Sequence, residues 1–156
     1  SFVGATTVRN YVLAKANRAP TTEELKQMQL LVREAMQQGA MGLSTSLIYA
    51  PADYAKTEEI IALAQIASEY DGMYITHMRS ESDYILKALN ETFRIAKEAK
   101  IRSEIYHLKI NHDRNWSKID QVLNKIDSAQ KAGLKITANM YPYAASNTAL
   151  TARLPN

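Results

Sequence analysis

The sequence predicts an α/β fold built on parallel strands, and three observations predict it. Short apolar segments of strand type alternate with longer segments whose apolar residues recur at helical spacing. The connections between strand segments are long enough to hold a helix, as parallel neighbours require, because a tight hairpin cannot join them. Two of the three histidines, His77 and His107, each close a strand-like run, 30 positions apart (107 − 77).

The elements follow in order. In "APTTEELKQMQLLVREAMQQG", Leu25, Met28, Val32 and Ala35 lie at helical spacing, Thr21 and Glu24 are placed as a capping box, and Gly39 provides a stop. "AMGLSTSLIYAP" reads as a strand entering a loop at Pro51. Thr57 then caps a helix with Ile60, Leu63, Ala64 and Ala67 on one face. The unit repeats: "GMYITHM" is a second strand, followed by a helix striped by Leu86, Leu89, Phe93 and Ala96. "SEIYHLKI" is a third strand, followed by a helix with Ile119, Val122, Leu123 and Ile126 inward, and "LKITANMYPY" is a fourth. Repeats of about 30 residues suit either a doubly wound sheet or part of a (β/α)8 barrel, and in both ligands gather at the C-terminal strand ends.

Composition narrows the function classes. With 156 residues, 46% of them hydrophobic, the chain has the material for a single α/β unit over residues 1–156. The net charge of +3 comes from 19 basic and 16 acidic residues with no basic block, which argues against nucleic-acid binding. There is no cysteine, so neither a disulfide nor a thiolate metal site exists within these residues. No apolar run approaches the roughly 20 residues that span a bilayer, so no membrane association is expected and the cytoplasm is the default location.

Alternation along a strand puts Ile75 and His77 on one face, and Ile105, His107 and Lys109 on the matching face of the next strand. Parallel neighbours lie about 4.8 Å apart, so two imidazoles at one level could share an ion. Two ligands are too few for a zinc site, and no HxH or HExxH motif completes the set. Spacing alone leaves open the alternative of two isolated, hydrogen-bonded histidines.

The segments "AMGLSTSLIYAPADYAKTEEIIALA", "YITHMRSESD", "YHLKI" and "NMYPYAASNTAL", together with "VRNYVLAKANRAPTTEEL", resemble successive segments of the N-acyl-D-amino-acid deacylases of the metal-dependent amidohydrolase superfamily. The resemblance implies a partial (β/α)8 barrel of about four β/α units and zinc-dependent hydrolysis of the amide of a small N-acylated D-amino acid. It implies that His77 and His107 are metal ligands and that Lys109 pairs with the substrate carboxylate. By the same resemblance Tyr49 and Tyr141 contact substrate, with Arg79 and Glu81 in the matching "HMRSE" loop. Asn147 stands where relatives usually carry a small hydroxyl residue or glycine, a departure that bears on specificity. His112 lies in a polar loop and is expected to be exposed.

No residue here matches the family's HxH pair, its bridging cysteine or the aspartate that acts on the attacking water. The catalytic aspartate is therefore expected outside this chain, and the chain is expected to be the inactive middle of a larger enzyme. Two alternatives are a cyclic-amide hydrolase of the hydantoinase or dihydroorotase type and a non-catalytic α/β ligand-binding module. The second lacks any P-loop or GxGxxG. An incomplete barrel leaves open sheet edges, so self-association of the isolated chain is expected, the stretch before Pro20 being the one segment available as a cover.

Overall fold

The computed structural model describes residues 1–148 of the chain; Ala149 and Leu150, which end the "AASNTAL" segment, lie outside the described residues. The described residues form five strands, β1 (Val3–Gly4), β2 (Gly42–Ser46), β3 (Met73–His77), β4 (Arg102–Ile105) and β5 (Ile136–Ala138). The helices are α1 (Ala5–Leu13), α2 (Thr22–Gln37), α3 (Thr57–Ser68), α4 (Ile85–Glu98) and α5 (Ile119–Lys131).

Local sequence explains most of these boundaries. The Thr21 hydroxyl accepts the Glu24 amide and the Glu24 carboxylate accepts the Thr21 amide, so the capping box that opens α2 is formed. Gly39 follows α2 at φ 91°, a left-handed position that glycine takes without a Cβ penalty. Gly42 has a different reason: a Cβ there would meet the Met73 carbonyl oxygen at 1.9 Å, so β2 and β3 approach each other only because it has no side chain. Lys56, not Thr57, occupies the cap position of α3, and the Thr57 hydroxyl instead donates to Glu91 Oε1 at 2.9 Å.

Every strand pairs parallel to the next, in the order β1-β2-β3-β4-β5. A doubly wound sheet reverses its strand order at a switch point, and no reversal occurs among the described strands. Helices pack each on the next, α1 on α2 through α4 on α5, in one layer. This is the arrangement of consecutive units of a (β/α)8 barrel. The two-residue β1 was not legible as a strand, being shorter than any alternation pattern.

One sheet face packs on the helices in two clusters. Leu43 and Tyr74 join Met28, Val32 and Leu63 under α1–α3, while Ile105 and Ile136 join Leu89, Val122 and Ile126 under α4 and α5. Burying each such side chain contributes about 1.5–3 kcal/mol. The opposite face carries Ser44, Ile75 and Glu104 as cross-strand neighbours. This corrects the placement of Ile105 beside Ile75: the register pairs Ile75 with Glu104 and Thr76 with Ile105, so Ile105 points to the helices. It also corrects the inward assignment of Ile119 and Leu123, which are exposed although Val122 and Ile126 are buried. No helix among the described residues is long and apolar enough to cross a membrane.

Candidate active site

Parallel pairing brings the C-terminal ends of β2, β3 and β4 to one edge of the sheet, and the candidate residues collect there around a cleft of about 520 Å³. His77 is the last residue of β3 and lies with Ile75 on the strand face turned away from the helices. His107 reaches the same place by another route. The Tyr106 amide donates to the Thr76 carbonyl at 2.9 Å, which extends the ladder one residue past β4 and puts Tyr106, not His107, level with His77.

At His107 the backbone turns to φ 38°, a left-handed value that is uncommon outside glycine and costs about 1–3 kcal/mol. The turn carries the ring back across the strand ends. His77 Nδ1 and His107 Nε2 then face each other at 3.1 Å, with ring centroids 4.7 Å apart and planes at 75°. The bend is held by Asn139, whose Oδ1 accepts the His107 amide at 2.6 Å and whose Nδ2 donates to Glu104 at 2.5 Å. The expected shared face for His107 and Lys109 on a continuous strand is thus replaced by a kink beyond the strand end.

Glu81 lies against both rings. It is buried, at 3% exposure, and its Oε1 is 3.0 Å from His107 Nδ1 and 2.7 Å from Lys109 Nζ. Its Oε2 is 3.8 Å from His77 Nε2, a buried nitrogen without a hydrogen-bond partner among the described residues. Lys109 Nζ also lies 2.7 Å from His107 Nδ1 and donates to the His107 carbonyl at 3.0 Å. Burial pushes the His77 imidazole below its ordinary pKa, with His107 and Lys109 acting in the same direction and the Glu81 charge opposing them. The neutral, metal-ligating form is thereby favoured.

The donor set fits a metal ion. Two nitrogens bound at about 2.0–2.1 Å in tetrahedral geometry stand about 3.3 Å apart, close to the observed separation of the facing pair. His77, Glu81 and His107 form a group whose possible ligand atoms lie within 4.8 Å of one another.

The remaining sequence-predicted residues differ in their commitments. Tyr49, in the loop after β2, has its ring 5.6 Å from that of His77, and its hydroxyl bonds Thr148 at 2.7 Å. Tyr141 lies 6.4 Å from the His107 ring and under the Lys109 ammonium, which is 5.6 Å from its centroid. Arg79 lines the cleft, yet its guanidinium is engaged with the scaffold. Nε and Nη2 form a bidentate pair with Glu91 at 2.9 Å, and Nη1 and Nη2 hold the Asp53 and Ala55 carbonyls at 2.9 Å. His112 is exposed at the rim and Asn147 lines the wall. Sequence reasoning gave no role to Glu91 or Asn139; their only signal was polar residues on or beside predicted elements, which is too common to single them out.

Comparison with known proteins places this geometry in context. A D-aminoacylase of Alcaligenes xylosoxydans xylosoxydans is 40% identical over 149 residues, a match covering 96% of this chain and 31% of that protein. An N-acyl-D-aspartate deacylase of the same organism is 36% identical over 150 residues, with 96% and 30% covered. Among solved structures, a D-aminoacylase described as defining a novel subset of amidohydrolases superposes with a TM-score of 0.87 at 37% identity, covering 91% of this chain and 30% of that one. An N-acyl-D-glutamate deacylase from Bordetella bronchiseptica, complexed with zinc and a phosphonate mimic of the tetrahedral intermediate, superposes with a TM-score of 0.86 at 30% identity and the same coverage. No protein-family model matches the chain. The chain spans about 30% of the length of the relatives it matches.

Proposed function

Since this chain corresponds to a segment of the N-acyl-D-amino-acid deacylases within the amidohydrolases, we propose that it supplies part of the metal site and the carboxylate-binding cation of an enzyme hydrolysing N-acyl-D-amino acids. The observation that carries this reading is the facing pair His77 Nδ1 and His107 Nε2, 3.1 Å apart in a cleft that also holds Lys109.

His77 and His107 would hold the ion, and zinc is the metal proposed, in line with the zinc complex of the glutamate deacylase relative. Bound zinc supplies an activated water and polarisation of the scissile carbonyl. The chain's own residues supply position. Glu81 tethers the Lys109 ammonium beside the histidines, where a substrate carboxylate can meet a fixed cation in a partly enclosed cleft. Tyr49 and Tyr141 flank that space and would pack against the substrate, narrowing access of water. Arg79 serves by anchoring: through Glu91 and two carbonyls it holds the loop after Tyr49 against α4.

The test uses a full-length protein containing this chain. It is expected to hydrolyse N-acetyl-D-amino acids, with Lys109→Ala raising KM for carboxylate substrates more than for their carboxamide analogues. The 156 residues alone are expected to be inactive. Equal KM effects on both substrate types would refute the role of Lys109, and robust deacylation by the isolated chain would refute the proposed division of the catalytic set.

A further inference from the structure

The turn at His107 disturbs the bonding between β4 and β5 in a way that singles out Asn139. The Ser103 amide donates to the Lys135 carbonyl at 2.9 Å, and a regular parallel ladder advances by two residues on each strand. Continued past the end of β4, it brings the His107 amide to the Asn139 carbonyl. That carbonyl accepts the Leu108 amide instead, at 2.7 Å. The His107 N–H is taken up by the Asn139 side chain, whose Oδ1 accepts it at 2.6 Å. The Asn139 amide also donates to the Ile105 carbonyl at 3.1 Å, so residue 139 holds the turn through two backbone atoms and its side chain.

The two ends of an asparagine amide are nearly the same in shape, so the groups they face decide which way it points. A backbone N–H only donates, and a carboxylate only accepts. Glu104 is the register partner of Thr137 on β5; its Oε2 accepts the Thr137 hydroxyl at 3.0 Å and its Oε1 accepts Asn139 Nδ2 at 2.5 Å. With Nδ2 committed to the carboxylate, Oδ1 is left facing the His107 N–H. The reversed amide sets a donor against that N–H and an oxygen against the carboxylate, and loses both bonds. The consequence lies at the rings: the turn held in this way has His107 at φ 38° and puts its Nε2 3.1 Å from His77 Nδ1.

We propose that Glu104 and Asn139 are positioning residues of the metal site. Glu104 fixes the Asn139 amide with its oxygen toward His107, and that bond holds the turn that sets the His107 ring opposite His77. The inference rests on the metal reading given under Proposed function.

Two measurements on the 156-residue chain test it. In metal-free protein labelled with 13C and 15N, scalar coupling across the hydrogen bond is expected between the His107 amide nitrogen and the Asn139 side-chain carbonyl carbon. Calorimetric zinc titration is expected to show about 10-fold weaker binding in Asn139→Ala, which leaves the backbone bonds of residue 139 in place. Asn139→Asp sets two carboxylates against each other and is expected to weaken binding as well, although it adds a negative charge beside the site. The double variant Glu104→Gln/Asn139→Asp keeps the wild-type net charge and lets the glutamine amide donate to the aspartate while its oxygen accepts from Thr137. It is expected to restore wild-type affinity. Tighter binding in Asn139→Asp, or a double variant no better than that single one, overturns the proposal. So does absence of the coupling in the metal-free wild-type chain, whether or not any variant folds. A wild-type chain that shows the coupling but binds no zinc overturns the metal reading and the positioning role with it, whereas zinc binding without the coupling overturns the positioning role alone.

Discussion

His77 Nδ1 and His107 Nε2 stand 3.1 Å apart although the two residues are not register partners, because the left-handed turn at His107 replaces one step of the strand. A pair so arranged binds one ion with weak affinity unless further ligands arrive from elsewhere. Calorimetric titration with zinc is expected to show binding that His77→Ala or His107→Ala abolishes and His112→Ala leaves intact. Equal losses in all three variants would remove the site assignment.

A buried ion pair ties α1 to the start of α3. Arg9 on α1 meets Glu59 in the first turn of α3 at 2.5 Å, both nearly inaccessible, and Arg9 Nη2 also holds the Ala16 and Arg18 carbonyls at 3.0 and 2.6 Å. Removing one partner leaves the other charge buried, so Glu59→Gln is expected to destabilise the chain by about 3–5 kcal/mol in urea unfolding. The double variant Arg9→Met/Glu59→Leu is expected to recover part of that loss. A single variant within 1 kcal/mol of wild type would show that water reaches the pair.

Tyr74 gives a prediction in alkaline solution. Its hydroxyl lies 2.8 Å from Thr45 Oγ1, which in turn donates to Thr76 Oγ1 at 2.8 Å, in a fully buried row behind the site. Burial pushes the phenol up to about 12, against the pull of its threonine neighbours. The unfolded chain ionises near about 10, so the folded value is the higher one. The stability this group contributes is complete below pH 10 and is lost as pH rises through about 12. Tyr74→Phe is expected to cost about 1–2 kcal/mol at pH 7 and to decline less steeply above pH 10. Parallel pH profiles for the two proteins would contradict it.

The open sheet edges predict association. β1 and β5 each have one unpaired side among the described residues, and beside β5 the exposed Trp116, Ile119, Leu123, Met140 and Tyr143 line an apolar groove. The chain is expected to self-associate in sedimentation equilibrium, with Trp116→Glu/Leu123→Glu shifting it toward monomer. A monomer at every concentration, with cooperative unfolding, would eliminate this model.

The sequence by itself determined the elements whose information is local. Helical periodicity and the Thr21–Glu24 capping box place α2, because each depends on residues within a few positions of one another. The alternation of strand and helix segments requires parallel pairing, since the connections are crossovers. His77 at the end of β3 was legible for the same reason, as was the clustering of His107 and Lys109 just past β4, though not the kink at His107. Only the tertiary structure decided what depends on register and on residues distant in sequence. Ile105 turns to the helices because Thr76, not Ile75, is its partner. His107 reaches His77 through a backbone turn held by Asn139, 32 positions away. The Arg79 guanidinium is committed to Glu91 and two loop carbonyls, partners 12 to 26 positions away. Burial of Glu81 against both imidazoles is set by packing in three dimensions, because it joins His77, four positions away, to His107 on the next strand connection.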